Sequence, residues 1–338
     1  MSDLNLTTLT PWLEAHVPGH TGPIEVEKIT GGQSNPTYRL STPQGPLILR
    51  RKPPGVLLKS AHAVDREFRV QKALENTDVP VPQMHALCED DSVIGSAFYV
   101  MQAIEGRTFD APSLPGLTPD DRSAMIDSMN RVLTAIHEVD LAATGLSDYG
   151  PTGNYYARQL DRWTQQYHAT QTEDLPDMEA LITWLGENMP ADDGQRRLVH
   201  GDYRLDNLIF APDAPRVIAV LDWELSTIGH PYADLAAVIM QWSMPATEQG
   251  RGLADVDRAA LGLWSDNHFI DTYCQRRNLP GIDRFEFYLA FCYFRMAAIL
   301  QGVKKRALDG NAADPERGRQ LGAYVPQFAR QGLEATAR

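Results

Sequence analysis

The segment LVHGDYRLDNLIF, residues 198–210, sets one His, two Asp, one Arg and one Asn between two apolar runs. Within it, His200, Asp202 and Asn207 follow the spacing H-x-D-x-x-x-x-N. A carboxylate beside a hydroxyl can orient it and accept its proton. A carboxamide oxygen and a further carboxylate are hard donors of the kind Mg²⁺ takes. Asp202 suits the first role and Asn207 the second. The next acid at the end of an apolar run is Asp222, in VLDWE. A short hairpin between the two runs would bring Asn207 and Asp222 side by side. Alone, D-x-x-x-x-N is a common polar turn capped by its own side chains. The combination lifts it above that: His-Gly before it, strand residues after it, and Asp222 beyond a hairpin.

The elements that must position these groups are legible in part. Residues 4–17 pattern as a short amphipathic helix ending at Pro18-Gly19. IEVEKIT and TYRL read as strands joined by the turn GGQSNP, and LILR as a third strand. AHAVDREFRVQKALENT is helical by the recurrence of Val64, Phe68 and Leu74. VPVPQMHALCED reads as a connection and SAFYVMQAIEG as another strand broken at Gly106. Helical patterns then dominate, over 118–139, 153–169, 176–188, 231–243, 256–278 and 284–307, around one β insertion (LIF, a turn at 211–215, RVIAVLDWE). The expected class is α+β and bilobal. A small antiparallel-sheet lobe over 1–104 precedes a larger, mainly helical lobe over 105–338, with a linker at 102–106. Clefts between such lobes are favoured ligand sites.

Composition narrows the partners. The 338 residues are 43% hydrophobic and 22% charged, ordinary for a globular protein. A net charge of −13 argues against nucleic-acid or anionic-membrane binding, which needs basic stripes. Cys88, Cys274 and Cys292 are odd in number and form no C-x-x-C, so zinc and redox chemistry are not indicated, and a reducing cytoplasm is the expected compartment. The N-terminal stretch has no basic segment followed by an apolar one, so no signal peptide is expected. No apolar run approaches the roughly 18 residues of a membrane span.

Taken together, HGDYRLDNLIF and VLDWELSTIGHPYADLA resemble the paired signature of the aminoglycoside phosphotransferase and choline-kinase superfamily of small-molecule kinases, which share a protein-kinase-like fold. LILRRKPPG, REFRVQKAL and FRMAAILQGVKKR are most similar to one branch, the kinase-like domains fused in some proteins to acyl-CoA dehydrogenases. The resemblance covers roughly residues 25–310. It implies ATP and Mg²⁺ as cofactors, Asp202 as the catalytic base, and Asn207 and Asp222 as metal ligands. Ser34 and Asn35 become triphosphate contacts at a Gly-rich turn whose backbone can approach phosphate. Arg50 stands where the family usually has Lys, a substitution that matters because guanidinium is a planar fork. Lys52 is the fallback and Arg51 reads as a solvated turn residue. Glu67 matches the acid that pairs with the cation, and backbone groups of Gln102 and Ile104 are the expected adenine partners. His200 and Asp234 are expected to brace the loop, and His230 to be a satisfied turn histidine. The helix face Tyr156, Leu160, Trp163, Tyr167 reads as core.

The acceptor divides the readings. The fused branch implies a hydroxylated acyl or acyl-CoA compound, held by cations such as Arg295, with Arg158 and Arg204 as weaker candidates. Arg295 has a second reading, pairing with a core acid. The alternatives are a cationic aminoglycoside- or choline-type acceptor against Trp223 and Glu224, and a nucleotide-binding module that has lost transfer. A protein kinase is disfavoured, since no D-F-G or A-P-E segment is present. The chain is expected to act as a monomer or homodimer on a small-molecule hydroxyl.

Overall fold

The computed structural model describes residues 4–29, 35–53, 63–247, 251–312 and 314–337. In chain order the elements begin α1 (Leu6–His16), β1 (Glu25–Ile29), β2 (Thr37–Ser41), β3 (Leu47–Arg51), α2 (Val64–Leu74), β4 (Met84–Cys88), α3 (Asp91–Ile94), β5 (Phe98–Gln102) and α4 (Pro119–His137). They continue with α5 (Tyr155–Thr170), α6 (Pro176–Glu187), β6 (Arg197–Val199), β7 (Leu208–Phe210), β8 (Val217–Val220) and β9 (Thr227–Gly229). The rest is helical: α7 (Tyr232–Trp242), α8 (Arg258–Leu261), α9 (Asp266–Arg276), α10 (Phe285–Leu308), α11 (Pro315–Gly322) and α12 (Val325–Ala335). Short 3₁₀ turns occupy Leu205–Asn207 and Trp223–Leu225.

Two compact units emerge. The first comprises Met1–Asp110, Asp120–Asp148 and His200–Ser226. Its centre is an antiparallel sheet of five strands in the order β1-β2-β3-β5-β4. Alternation along each strand sends successive side chains to opposite faces. On one face Tyr38, Leu40, Leu49, Phe98 and Val100 pack with Leu9 and Leu13 of α1. On the other, Tyr99 and Met101 pack with Val64 and Phe68 of α2. Strand β5 is therefore apolar on both sides, and only its last residue, Gln102, is exposed. Burying each such large side chain stabilises the fold by about 1.5–3 kcal/mol. The segment around β4 reads in sequence as a connection, and the structure corrects this. It pairs with β5 around an irregularity between Met84 and Ala86, which breaks the period-two pattern.

The same alternation decides the fate of the basic run on β3. Arg50 falls on the α2 face. Arg51 falls on the α1 face and is 3% exposed, with Nε donating to Ser96 Oγ at 3.0 Å. The expectation of a solvated Arg51 is thus overturned. Lys52 lies just past the strand, with Nζ 3.9 Å from Asp65 Oδ1 at the surface.

Helix α4 carries the remaining part of this unit. Tyr203 OH donates to Met129 O at 2.8 Å, and the Val217 N–H donates to Ser128 Oγ at 2.9 Å. Arg107 and Phe210 exchange backbone hydrogen bonds at 2.8 and 2.9 Å. Arg107 also donates from its side chain to the carbonyls of Ala211 and Ala214, both at 2.9 Å. These contacts fix the β7–β8 hairpin.

The second unit comprises Ala111–Pro119, Tyr149–Val199 and Thr227–Arg338. Its 24-residue helix α10 packs against α5, α6, α7, α11 and α12. Tyr156 sits among Phe287, Tyr288, Phe291 and His230, at ring separations of 5.1–5.4 Å. Tyr156, Leu160 and Tyr167 are buried, as their helical spacing suggests. The helix expected over 256–278 is instead two, α8 and α9. Gly262 takes a left-handed φ of 74° and ends the first, and Ser265 caps the second by accepting from the His268 N–H at 3.1 Å. No helix among the described residues is long and apolar enough to cross a membrane.

Candidate active site

The hairpin forms where the sequence placed it. β7 and β8 pair with Leu208 opposite Val220, and the Leu221 N–H donates to Asn207 O at 2.8 Å. The backbone of Asn207 therefore lies against the residue that precedes Asp222. Asp222 itself is left-handed, at φ 64° and ψ 59°. That conformation is costly for most residues, and Asp is among the few side chains that tolerate it.

Upstream, Gly201 makes the loop possible. Its φ is 85°, and a Cβ added there would lie 2.6 Å from Leu225 O. His200 is fully buried; its Nε2 donates to Leu221 O at 2.9 Å, and its Nδ1 accepts from the Asp202 N–H at 3.3 Å. Both ring nitrogens are thus committed to backbone, which makes the ring a brace. Trp223 lies beside it at 4.7 Å, is fully buried, and donates from Nε1 to Val220 O at 3.0 Å. The expected role of Trp223 as a wall for a cationic acceptor is therefore excluded by burial.

Asp202 remains accessible, with about a third of its side chain exposed at 35%. Asn207 Nδ2 donates to Asp202 O at 2.8 Å and to Asp202 Oδ2 at 3.2 Å. This orients the Asn207 amide so that its oxygen is the free end. Arg204 Nε is 3.3 Å from Asp202 Oδ1, and Arg204 Nη2 is 2.9 Å from Asp206 Oδ2. Arg204 is thereby engaged within the loop. Arg158, in the helical unit, donates to the carbonyls of Thr152 and Gly153 at 2.6 and 2.5 Å.

The cation on β3 sits at the centre of an acidic network. Arg50 Nε is 3.0 Å from Glu67 Oε2, while Nη2 is 2.6 Å from Asp222 Oδ1 and 3.6 Å from Glu224 Oε2. A guanidinium can meet several carboxylates along different N–H directions at once, which an ammonium cannot do in the same geometry. Burial pulls the Arg50 pKa down, but Glu67, Tyr99, Asp222 and Glu224 raise it above its usual value overall. Glu67 is pushed up to about 7, first by burial, against the pull of Arg50 and with Asp222 and Glu224 opposing its ionisation. Asn35, expected at the phosphates, is 2% exposed, and its Nδ2 donates to Glu67 Oε1 at 2.6 Å, so its amide holds the acid that holds the cation. Ser34, the other expected phosphate contact, lies outside the described residues.

At the end of β5, the Gln102 N–H donates to Gln83 O at 2.8 Å. Ile104, two residues on, is half-buried and has no hydrogen-bond partner among the described residues. In the helical unit, Asp234 is 1% exposed on α7. His230 Nε2 lies 3.4 Å from Asp193 Oδ1, and its Nδ1 accepts from the Tyr232 N–H at 3.3 Å. The Arg295 guanidinium lies over the Trp163 ring at 5.8 Å, a cation–π contact that neither sequence reading contains.

The donor set suits a divalent ion shared with a ligand. Asn207 offers an amide oxygen and Asp222 a carboxylate, the latter 31% exposed. Among the described residues no group of three His, Cys, Asp or Glu forms a self-sufficient metal cage. Two protein oxygens completed by phosphate and water are what Mg²⁺ commonly takes.

A braced aspartate, a carboxamide beside it and a carboxylate tied to a half-buried cation are the groups a kinase-like phosphotransferase uses. Residues 25–284 match the phosphotransferase enzyme family, and the chain belongs to that family. It is 46% identical to a candidate aminoglycoside phosphotransferase from Ralstonia eutropha, whose crystal structure superposes with a TM-score of 0.91 over 99% of this chain and 98% of that one. It is 49% identical over 294 residues to acyl-CoA dehydrogenase family member 10 of Mus musculus, covering 87% of this chain and 27% of that protein. The chain spans less than half the length of the curated relatives it matches. A thermostable mutant of the aminoglycoside phosphotransferase APH(4)-Ia, solved with AMP-PNP and hygromycin B, shares the fold at a TM-score of 0.62 and 17% identity, over 98% of this chain and 99% of that one. The fold is the α+β, kinase-like one that the motifs implied.

Proposed function

We propose that the protein moves the γ-phosphate of ATP to a hydroxyl of a small molecule. The observation that carries this reading is the meeting of Asp202, Asn207, Asp222 and Arg50 through one hairpin and one strand. Asp202 orients the acceptor hydroxyl and takes its proton, with its carboxylate steered by Asn207 and Arg204. The Asn207 amide oxygen and the Asp222 carboxylate hold Mg²⁺. Bound Mg²⁺ supplies neutralisation of charge on the β- and γ-phosphate oxygens. Arg50, aimed by Glu67, steadies the phosphates together with Ser34. The adenine takes the unpaired backbone of Ile104 and the carbonyl of Gln102. Much of the acceleration comes from alignment and electrostatics.

A hydroxylated acyl or acyl-CoA compound is the proposed acceptor class. The relatives named as acyl-CoA dehydrogenase family members support it, and the burial of Trp223 removes an aromatic wall that a cationic acceptor would use.

The test is Asp202→Ala, assayed with labelled ATP and a panel of hydroxyacyl-CoA esters and aminoglycosides. Turnover should fall by about 10²–10⁴ while Mg-AMP-PNP binding is kept. Near-normal phosphorylation by the variant would remove Asp202 as the base. A wild-type chain that binds nucleotide and phosphorylates no alcohol would remove the transferase reading.

A further inference from the structure

Tyr99 stands directly opposite Arg50 in the β3–β5 register. Opposed residues on neighbouring strands project to the same face of a sheet. Here that face is covered by α2, and both side chains end on the same oxygen. Glu67 Oε2 is 3.0 Å from Arg50 Nε and accepts from Tyr99 OH at 3.0 Å. Gln71, one turn along α2 from Glu67, closes the circuit. Its Nε2 donates to Tyr99 OH at 3.4 Å and to Glu67 O at 3.2 Å. Tyr99 is 1% exposed, Glu67 1% and Gln71 2%, so no water can stand in for a lost partner.

We infer that Tyr99 is a positioning residue for the Arg50 guanidinium, acting through the Glu67 carboxylate. The inference rests on the phosphotransfer reading above. Of the three acids around Arg50, two lie within 3.0 Å. Glu67 holds its Nε, and Asp222 draws its Nη2 at 2.6 Å. Were Asp222 to turn to a metal ion, Glu67 at 3.0 Å would be the nearest acid retaining the guanidinium, with Glu224 at 3.6 Å, and Glu67 is useful only if its own rotamer is fixed. Tyr99 fixes Oε2 and Asn35 fixes Oε1. Burial, reinforced by Glu67, holds the Tyr99 hydroxyl well above its usual pKa, so it stays a donor.

A group that aims Arg50 at phosphates acts on the ground and transition states alike, so its loss shows in KM more than in kcat. Tyr99→Phe keeps the ring and removes the donor. The KM for Mg-ATP and the Kd for Mg-AMP-PNP by calorimetry should both rise about ten-fold, as for a lost hydrogen bond to a charged group, with kcat changed less than about two-fold. Because Tyr99 acts through Glu67, the double variant Tyr99→Phe/Glu67→Gln should bind Mg-AMP-PNP within about two-fold of Glu67→Gln alone. A merely structural Tyr99 would give independent losses that multiply. An unchanged Kd in Tyr99→Phe, or multiplying losses, overturns the inference. If Tyr99→Phe does not fold, Gln71→Leu removes the partner of the hydroxyl. It should raise the Kd about three-fold at constant kcat, and an unchanged Kd there overturns the inference equally. A wild-type chain that binds Mg-AMP-PNP without turnover defeats the phosphotransfer reading, and the binding series still decides Tyr99.

Discussion

Replacing Glu67 by Gln should change how stability depends on pH, and the structure gives the size. Glu67 is 1% exposed, and its pKa is pushed from an ordinary 4.5 up to about 7. An acid whose folded pKa exceeds its unfolded value binds more protons folded than unfolded between the two. Folding then takes up protons, and stability falls as pH rises through that window. The rise from an ordinary 4.5 to about 7 corresponds to roughly 3 kcal/mol. The amide of the Glu67→Gln variant does not titrate in this range. Relative to that variant, the wild type should therefore lose roughly 3 kcal/mol between about pH 4 and about pH 8, with a plateau above the folded pKa. Urea denaturation of both proteins across that range, with m-values compared, measures the difference directly. A difference that stays flat, or a wild type that gains on the variant as pH rises, would refute the claim that burial outweighs the attraction of Arg50 at this carboxylate.

Gly201→Ala should destabilise by more than about 2 kcal/mol, since its Cβ would meet Leu225 O at 2.6 Å in a left-handed backbone; an unmoved urea midpoint would contradict this. Arg51→Ala should cost about 2–4 kcal/mol through lost packing and the lost hydrogen bond to Ser96 Oγ, whereas Lys52→Ala should stay within about 0.5 kcal/mol. Thermal melts giving the reverse order would mean that strand alternation assigns the basic run wrongly.

The placement of the candidate site residues is more legible in the chain than parts of the scaffold are. Asp202, Asn207 and Asp222 can be placed because a two-strand hairpin has few ways to fold, and its register carries Asn207 and Asp222 together. Arg50 and Glu67 meet as expected for a similar reason, since strand parity and helix spacing each fix a face. Parity also assigns Arg51 to the α1 face, but a run of three basic residues before two prolines has the composition of a solvated turn, and composition misleads here. Strand β4 escapes a sequence reading because its irregular pairing hides the alternation. β6 and β9 are three residues each, too short for any periodic signal, and their pairing joins segments 30 residues apart. The division of 256–278 into α8 and α9 is written in Gly262 and Ser265, a left-handed stop followed by a cap, which apolar periodicity alone ignores. Helices α11 and α12 lie beyond the last clear apolar pattern, though Pro315 after Asp314 is a strong start signal. The engagement of Asn35 and Tyr99 with Glu67 needs coordinates, because it joins three segments through side chains that have no periodic trace.

One guanidinium facing three carboxylates has a consequence for traffic into the site. With all three acids ionised, this cluster carries surplus negative charge. A bare nucleoside triphosphate would meet more repulsion there than one whose charge a divalent ion has partly offset. Under the proposed phosphotransfer reading, such a network would favour the complexed nucleotide over the free one.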